Sequence, residues 1–333
     1  MSHSSSDHPL SVGIIGGGPA GMSSALWLKQ LGLSPHIIEL NAALGGQLLK
    51  LDRINRWVLG LPGRTSAELA ALYAKHIGEE LIPVKCQTEV TAVETADRGY
   101  RLVLQEAGQT PTSLFVHALV IATGVTALGQ QLFTTIPGFD TLHAAGLVGC
   151  FPIDHLDKLA GLQGKTVAVI GGGDNAHFTV MDVAPVAART HLLIRSQPKA
   201  QGKIRNAVKT LIEHGTVSEY RETEVGAFRQ GADGIGISLK PSGSAPIEIV
   251  VDRVFLRVGF TPNTQFLDTL GALAGIDKHA RGYLLTDAQK RTSVPSVYAI
   301  GDVASPGLQA VVTAIADGAV AAQAIAQDLS LTE

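Results

Sequence analysis

The sequence predicts an α/β fold that contains two parallel βαβ units, one in each of two domains. A strand at Val12–Ile15 leads into a glycine-rich turn and a helix, and the same pattern returns from Thr166–Ile170. Each helix is followed by a second strand, at Pro35–Ile38 and at His191–Ile194. Alternation of strand and helix is typical of a parallel sheet, and 333 residues are enough for two domains.

The two units predict a discontinuous first domain. The first helix is expected to end near Leu31, and the second near Ala188, with Pro185 closing or kinking its last turn. Further strands and a final helix are predicted at 88–94, 100–106, 114–121, 234–240, 247–254, 297–300 and 308–329. No glycine fingerprint follows Gly259, so the tail completes the first domain. The expected division is therefore 1–124 plus 258–333, with 125–257 inserted.

Composition and charge exclude several classes of protein. The formal net charge of −3 gives no basic face for a nucleic acid. No unbroken run of about 18 apolar residues predicts a membrane span, and the polar amino terminus does not resemble a leader peptide. The chain has two cysteines, Cys86 and Cys150, which excludes a disulfide framework and favours a reducing, cytoplasmic compartment. We expect no metal site.

The first glycine turn predicts a site for a dinucleotide. Gly16 permits the tight turn, Gly18 lets the backbone approach a pyrophosphate, and Gly21 lets the helix pack on the strand. Pro19 and Ala20 begin the helix, whose amino end attracts phosphate. Glu39 ends the second strand, where a carboxylate can accept hydrogen bonds from a ribose. Alone, the glycines could form only a turn; the flanking elements favour the binding site.

A second acidic motif indicates that the dinucleotide is a flavin. The apolar strand Val297–Ile300 ends abruptly at Gly301-Asp302. A carboxylate at a strand end, before a helix amino terminus, can hold the ribityl chain and phosphate of a flavin.

Several motifs in order resemble those of the low-molecular-weight thioredoxin-reductase-like flavoproteins, which include one class of ferredoxin/flavodoxin–NADP reductases. The motifs are GGGPAG, Glu39, Gly45-Gly46-Gln47, Ala122-Thr123-Gly124, Gly259-Phe260-Thr261-Pro262-Asn263-Thr264 and YAIGD. The resemblance extends from about Val12 to about Ala326. It implies bound FAD, with Gly45, Gly46 and Gln47 along the flavin and the Val90 backbone at the adenine. The glutamine that this family has before the last helix aligns with Ala310, and Gln309 lies one position earlier. We expect a homodimer.

The second glycine turn predicts a nicotinamide nucleotide site. Gly171 and Gly173 repeat the cradle, followed by Asp174, Asn175 and, at the third glycine position, Ala176. Arg195 stands at the strand end where Glu39 stands in the first unit, and a guanidinium there favours a 2′-phosphate. NADPH is therefore favoured over NADH. The family's second arginine is Ser196 here, and Lys199 with Lys203 can compensate only as point charges. The alternative is a solvated Arg195 and a vestigial site.

The cysteines and candidate proton donors separate this chain from the disulfide reductases. Thioredoxin reductases have a Cys-x-x-Cys pair where this chain has only Cys150. The stretch from Asp154 to Lys165 instead resembles the ferredoxin/flavodoxin–NADP reductase branch, although we expect no carboxy-terminal extension after Glu333. Cys86 and Cys150 are expected to be buried and inert. His143 and His155 are candidate proton donors or ordinary histidines, and Trp57 is expected near the flavin or in the core.

These features leave three functions open. The first is an oxidoreductase that passes a hydride from NADPH to FAD, and then electrons to a small redox protein or to free flavin. The second is a flavin-dependent oxidase or reductase of a small metabolite in a biosynthetic pathway. The third is a non-catalytic FAD-binding module for redox sensing. No catalytic side chain is identified by the sequence.

Overall fold

The chain divides into two compact units, which we describe separately. The computed structural model describes residues 9–50, 53–152 and 156–330. Unit 1 contains residues up to Thr126 and from Thr261 onward, and unit 2 contains Ala127–Phe260. The boundaries predicted from the sequence were 124/125 and 257/258. In the part of the chain that is described, no helix is long and apolar enough to cross a membrane.

The described elements are eighteen strands, seven α-helices and five 3-10 helices. The strands are β1 Ser11–Ile15, β2 Ser34–Ile38, β3 Val84–Lys85, β4 Thr88–Ala96, β5 Gly99–Glu106, β6 Thr112–Val116, β7 Ala118–Ile121, β8 Val125–Ala127, β9 Val148–Gly149, β10 Thr166–Ile170, β11 Arg189–Leu193, β12 Val217–Tyr220, β13 Thr223–Gly231, β14 Gly234–Pro241, β15 Ile247–Val251, β16 Arg253–Leu256, β17 Phe260–Pro262 and β18 Val297–Ala299. The α-helices are α1 Pro19–Gln30, α2 Ser66–Glu79, α3 Gly129–Phe133, α4 Phe139–Ala144, α5 Asp174–Val183, α6 Gly202–Glu213 and α7 Val311–Ser330. The 3-10 helices are Gly46–Lys50, Leu156–Leu162, Gln265–Thr269, Gly271–Leu273 and Gly301–Ala304.

Unit 1 is built on a five-stranded sheet in the order β18-β7-β1-β2-β3, with all its pairs parallel. Helices α1 and α7 pack closely on each other, because Gly318 leaves no side chain between them. A Cβ at this position would lie 2.7 Å from the Ala20 carbonyl oxygen. One apolar cluster fills the space between these helices and the sheet, and a second lies beneath the antiparallel sheet β4-β5-β6.

Unit 2 repeats this arrangement with its own parallel sheet, β12-β11-β10-β16-β9. Helices α5 and α6 pack on an apolar cluster that includes Val167 and Phe255. A three-stranded antiparallel sheet, β13-β14-β15, contributes to a second cluster. The parallel sheets of both units confirm the predicted α/β class with Rossmann-like βαβ units.

Two long strands predicted from the sequence are each divided into two, and the cause is the same in both units. The stretch 114–121 breaks at His117, whose Nδ1 accepts a hydrogen bond from the Ser11 N–H (3.0 Å). The stretch 247–254 breaks at Asp252, whose carboxylate accepts one from the Thr166 N–H (2.8 Å). In each case a side chain caps the start of the central strand. The chain leaves an antiparallel sheet there and enters the parallel one.

The ends of two helices, and the type of a third, also differ from the prediction. Helix α5 ends at Val183, before Pro185, instead of near Ala188. Proline has no N–H to continue the helical hydrogen bonds, and its ring crowds the preceding turn, which explains the earlier end. Helix α7 begins at Val311 instead of near Leu308. Gly301 and Asp302 are themselves the first residues of a short 3-10 helix, Gly301–Ala304, and no helix begins directly after them in the described chain.

Candidate functional site

The first glycine turn lies between β1 and α1 and depends on missing side chains. Gly16 has a φ of +111°, and a Cβ there would lie 2.4 Å from the Ala122 carbonyl oxygen. A Cβ on Gly21 would lie 2.0 Å from the Gly16 carbonyl oxygen. Both contacts are closer than atoms can approach, so these positions admit only glycine. The turn brings the backbone of β1, β7 and α1 together.

The amino end of α1 is open to a ligand. Gly18 is the N-cap residue, no side chain caps the helix, and Pro19 occupies its first turn. A Cβ on Gly18 would meet nothing closer than the Gly46 Cα at 4.0 Å. Uncapped N–H groups and the helix dipole together attract a phosphate, so this end fits the pyrophosphate of a dinucleotide.

Glu39 is buried at the end of β2 and faces the turn. Its carboxylate accepts hydrogen bonds from the Gly17 N–H (2.7 Å) and from the backbone N–H of Asn41 (2.7 Å). The Asn41 side-chain amide also donates to it. A carboxylate has about four lone-pair positions, so these three bonds leave room for a further donor such as a ribose hydroxyl. Asn41 was not identified from the sequence.

Gly45, Gly46 and Gln47 lie against the same turn. The Gly45 N–H donates to the Gly17 carbonyl (2.9 Å), and the Gly46 backbone is in the left-handed region, with a φ of +54°. The Gln47 side-chain amide donates to the Val125 carbonyl. Thus this segment, predicted to lie along a flavin, is held beside the phosphate-binding turn and beside the segment that follows β7.

Ala122, Thr123 and Gly124 follow β7 and are tied to Asn263. The Thr123 hydroxyl donates to the Asn263 carbonyl (2.8 Å), and the Asn263 side-chain amide donates to the Thr123 carbonyl (2.8 Å). The Ala122 N–H donates to Ile15 O (2.8 Å), which holds the segment on β1. These reciprocal bonds explain why ATG and the later PNT motif occur together.

Gly301 and Asp302 follow β18 and lie beside α1 and α7. The Gly301 N–H donates to Asp317 (3.1 Å), and Asp317 forms an ion pair with Lys290 (2.6 Å). Burial and then the negative charge of Asp317 raise the pKa of Asp302 to about 6. Sequence analysis missed Lys290 and Asp317. They belong to no motif and meet only through the fold.

The remaining predicted contacts of the first site are all in unit 1. Gln309 precedes α7, and its amide donates to the Tyr283 hydroxyl (3.1 Å), whereas Ala310 accepts from the Ala314 N–H in the first turn of the helix. Val90 is buried in β4 at an irregular pairing with β5. The start of β4 is fixed to Glu39, because the Thr88 N–H donates to the Glu39 carbonyl (3.0 Å).

These residues fit FAD. The glycine cradle is open at Gly18, the helix end is uncapped, and a buried carboxylate ends the neighbouring strand. The second acid, Asp302, follows β18 in the same sheet. Phosphate, ribose and ribityl groups of a flavin dinucleotide each have a matching partner in this set.

The second glycine turn, between β10 and α5, follows the same geometry. Gly171 has a φ of +142°, and a Cβ there would lie 2.2 Å from the Arg257 carbonyl oxygen. Gly173 is the N-cap of α5, with no side-chain cap and no neighbour within 4 Å of a built Cβ. Asn175 and Ala176 lie in the first turn of α5, and Ala176 is fully buried. The open cradle and helix end fit a second dinucleotide.

The loop after β11 folds over this turn. The backbone N–H groups of Lys199 and Ala200 donate to the Gly172 carbonyl (2.7 and 3.1 Å). The Asp174 carboxylate accepts from the Gln201 backbone and side chain (both 2.8 Å). These bonds fix the loop that carries Arg195 and Lys199, and Gln201 is a residue that the sequence analysis missed.

Arg195 is exposed at the end of β11 and makes no hydrogen bond or ion pair with residues that the structure describes. Lys199 and Lys203 are exposed as well. One exposed acid contacts this loop, because the Gln197 side chain donates to Glu222 (3.0 Å). The guanidinium is thus available to a 2′-phosphate, while the negative charge of Glu222, from the turn after β12, is bonded to Gln197, two residues after Arg195.

The two cysteines are thiols in the described structure. Cys86 is only half-buried, so the expectation that it is buried was wrong, whereas Cys150 is buried. Burial and the nearby charge of Glu39 raise the pKa of the Cys86 thiol. A raised thiol pKa disfavours the thiolate, which is the reactive form.

The other singled-out residues have ordinary surroundings. His143 stacks on Phe139 at a ring distance of 5.5 Å, and His155 lies outside the described residues. Trp57 is 72% exposed, so core packing was the wrong expectation. Each unit therefore gathers one of the two predicted sets of cofactor contacts, and His143 belongs to neither set.

Comparison with known proteins agrees with this geometry. The family model for pyridine nucleotide-disulphide oxidoreductases matches residues 10–318. A ferredoxin–NADP reductase from Levilactobacillus brevis is 31% identical, and the matched region covers 94% of this chain and 92% of the length of that relative. An alkyl hydroperoxide reductase component from Pseudomonas putida is 26% identical over 93% of this chain, which spans only 56% of that relative.

Solved structures show the same fold at lower identity. A thioredoxin reductase from T. acidophilum has a TM-score of 0.81 at 23% identity, covering 97% of this chain and 100% of its own. A bacillithiol disulfide reductase from Bacillus cereus has a TM-score of 0.79 at 17% identity, covering 96% and 100%. At these identities the likeness establishes the fold alone.

Proposed function

The chain belongs to the pyridine nucleotide-disulphide oxidoreductase family, and we propose that it passes reducing equivalents from NADPH through FAD to a small redox protein. The coarser activity, an NAD(P)H-dependent flavoprotein oxidoreductase, follows from the family itself. The proposal adds the nucleotide preference and the acceptor. It also includes a homodimer working in the cytoplasm.

The preference for NADPH rests on one contrast between the two units. Glu39 ends β2 with its carboxylate bonded to Gly17 and Asn41, whereas Arg195 follows β11 with an exposed guanidinium. A 2′-phosphate beside a guanidinium gains a charge-assisted hydrogen bond of about 1.5–3 kcal/mol, which NADH cannot form. Because the acidic Glu222 is bonded to Gln197, two residues after Arg195, and Ser196 replaces a second arginine, the preference should be moderate.

The chain's own residues would bind and orient the cofactors. Bound FAD would supply the group that accepts a hydride and delivers electrons, and the protein supplies placement and electrostatics. The residues proposed to hold FAD are Gly16, Gly18, Pro19, Ala20, Gly21, Glu39, Gly45, Gly46, Gln47, Val90, Ala122, Thr123, Gly124, Gly301, Asp302, Gln309 and Ala310. Those proposed to hold the nicotinamide nucleotide are Gly171, Gly173, Asp174, Asn175, Ala176, Arg195 and Lys199.

The proposed acceptor is a ferredoxin-like or flavodoxin-like protein, with free flavin as the simplest substitute. The two cysteines lie 64 positions apart in the sequence, so no Cys-x-x-Cys pair can relay electrons to a protein disulfide. The ferredoxin–NADP reductase relative supports the same acceptor class. A small-metabolite reductase is the alternative if protein acceptors and free flavin fail.

Anaerobic stopped-flow reduction of the flavin tests the nucleotide preference. We expect faster flavin bleaching with NADPH than with NADH. Arg195→Ala should slow the NADPH reaction about tenfold or more, as expected for losing a bond of about 1.5–3 kcal/mol, and leave NADH unchanged. Arg189→Ala, at the other end of β11, is the matched control and should change neither. A clear NADH preference, or no reduction by either nucleotide, would contradict the proposal.

The acceptor is tested by steady-state turnover with NADPH. A ferredoxin, a flavodoxin and free FMN should each be compared with oxidised thioredoxin. We expect reduction of at least one of the first three and little reduction of thioredoxin. Turnover only with a small metabolite would select the alternative function.

A further inference from the structure

An exposed loop in unit 1 has apolar side chains that the fold does not use. The Trp57 loop, residues 53–64, connects the 3-10 helix Gly46–Lys50 to α2. Ile54 is 50% exposed, Trp57 72% and Leu59 98%. Exposing a large aromatic and two aliphatic side chains on one short loop is unfavourable in water, and such patches commonly bind partners.

The loop is held in a definite shape. The Asn55 N–H donates to the Arg64 carbonyl (2.8 Å), and the Ser66 N–H donates to the Arg53 carbonyl (2.9 Å), which joins the two ends of the loop. The Trp57 N–H donates to the Asn55 side chain (3.0 Å). A loop fixed before binding loses less conformational entropy when a partner docks.

Alternate residues of the loop face opposite ways. Val58 and Leu61 pack inward on the small cluster of Leu48, Leu69 and Ala70. Trp57 and Leu59, between and beside them, face solvent. The inward side chains provide the packing of the loop on unit 1, whereas the outward pair of side chains is left largely exposed.

The charge of this segment is opposite to that of the chain. Between Gly45 and Ser66 the sequence has four basic residues, Lys50, Arg53, Arg56 and Arg64, and one acidic residue, Asp52, while the formal net charge of the whole chain is −3. Arg56 is exposed and has no hydrogen-bond or ion-pair partner in the described part of the chain. The Arg64 side chain forms an exposed ion pair with Glu68 (3.1 Å), which is a weak interaction. The loop therefore presents apolar and positive groups side by side.

We propose that the Trp57 loop is the docking surface for a small acidic electron-carrier protein. Trp and Arg are the residue types that contribute most to protein interfaces, and a positive patch speeds encounter with an acidic partner. The loop follows the Gly45–Gln47 segment, which is bonded to the first glycine turn and is proposed to lie along FAD. A carrier that docks here is placed beside the flavin that would reduce it. A lipid surface would gain nothing from lying next to the flavin, so this position favours the carrier. This inference rests on the proposed function.

Direct binding of the FAD-loaded protein to oxidised carriers tests the surface without requiring turnover. The probes are an acidic [2Fe–2S] ferredoxin and an acidic flavodoxin, immobilised for interferometry. We expect the double variant Trp57→Ala/Leu59→Ser to weaken binding of at least one carrier about tenfold or more, as for interface hot spots. Arg56→Glu should weaken it and reduce its dependence on salt. Flavin content reports that each variant is folded.

Two control variants match these changes elsewhere on the surface. Leu81→Asn removes an apolar side chain that is 82% exposed, at a backbone position with a φ of +53° that tolerates asparagine. Arg98→Glu makes the same charge change as Arg56→Glu at the exposed turn between β4 and β5. Both controls should bind the carriers like the unmodified protein.

Separate measurements distinguish this inference from the proposed function. Turnover with NADPH and ferricyanide tests the function alone, and the loop variants should leave it unchanged. Loop variants that bind the carriers normally, or an unmodified protein that binds neither, would overturn the docking proposal. Loop-dependent cosedimentation with phosphatidylglycerol vesicles would instead assign the loop to a membrane surface. Loop-dependent change of mass in analytical ultracentrifugation would assign it to a second copy of this chain.

Discussion

Asp302 should make FAD binding depend on pH, and Asp317 with its ion-pair partner Lys290 should set the pH at which the affinity changes. Burial and the charge of Asp317 raise the pKa of Asp302 from 3.8 to about 6. This difference of about two in pKa corresponds to an additional free-energy cost of about 3 kcal/mol for ionising the carboxyl in the folded protein. The folded protein holds the Asp302 proton more tightly than the unfolded chain does, so the protonated carboxyl contributes to the free energy of unfolding below about pH 4. This contribution is lost as the pH rises to about 6.

The ion pair between Lys290 and Asp317 allows this pKa to be moved in both directions. Asp317→Asn removes a negative charge and keeps an oxygen for the Gly301 N–H, so the pKa of Asp302 should fall. The fall should be less than about one unit, because burial is the larger cause of the rise. Lys290→Met leaves Asp317 uncompensated, since its partner at 2.6 Å is lost, and the pKa of Asp302 should rise further.

The assay is a titration of apoprotein with FAD, followed by flavin fluorescence at a series of pH values from 4.5 to 8. The midpoint of the change in affinity should shift down in Asp317→Asn and up in Lys290→Met. Asp302→Asn should have no midpoint in this range. Loosening of the local structure would move both variants the same way, so shifts in one direction, or a transition that persists in Asp302→Asn, would refute the reasoning.

Two further predictions concern Glu39 and Cys150. Replacing Glu39 by Ala should weaken FAD retention roughly tenfold to a hundredfold, for a loss of about 1–3 kcal/mol of hydrogen bonding, whereas Glu39→Gln should retain more; equal retention by the Ala variant in equilibrium dialysis would show that Glu39 does not hold the cofactor. Cys150→Ser should leave NADPH turnover with every acceptor unchanged, because no adjacent cysteine exists for a relay; thioredoxin reduction that disappears in this variant would reveal a thiol mechanism.

The sequence predicts the βαβ units well because their signals are local. Gly16, Gly21 and Gly171 each occupy a place where a Cβ would collide with a backbone carbonyl, so a fixed spacing of glycines is a direct consequence of the turn. The positions of Glu39 and Arg195 follow from the strands that precede them. These features need no knowledge of the rest of the chain.

The features that sequence analysis missed depend on contacts between distant segments. Lys290 forms its ion pair with Asp317 from a left-handed backbone conformation, with a φ of +69°. A lysine in the sequence gives no sign that the backbone adopts this conformation. The strand breaks at His117 and Asp252 arise from bonds to Ser11 and Thr166, which are 106 and 86 positions away. Trp57 lies in the apolar run Trp57–Leu59, and hydrophobicity alone does not show that Val58 faces inward while its neighbours face water.

The two βαβ units use the same backbone but fix their diagnostic side chains differently. In unit 1 the middle glycine, Gly17, donates its N–H to the Glu39 carboxylate, so the acid is part of the turn. In unit 2 the loop after β11 is bonded to the turn through backbone groups, because the Gly172 carbonyl accepts from the N–H groups of Lys199 and Ala200, and the Arg195 side chain makes no bond to the turn in the described structure. The turn of unit 2 therefore keeps its shape whatever residue follows β11. Loss of Arg195 should for this reason change nucleotide preference without disturbing the cradle, whereas loss of Glu39 should affect both the shape of its turn and the contacts to FAD.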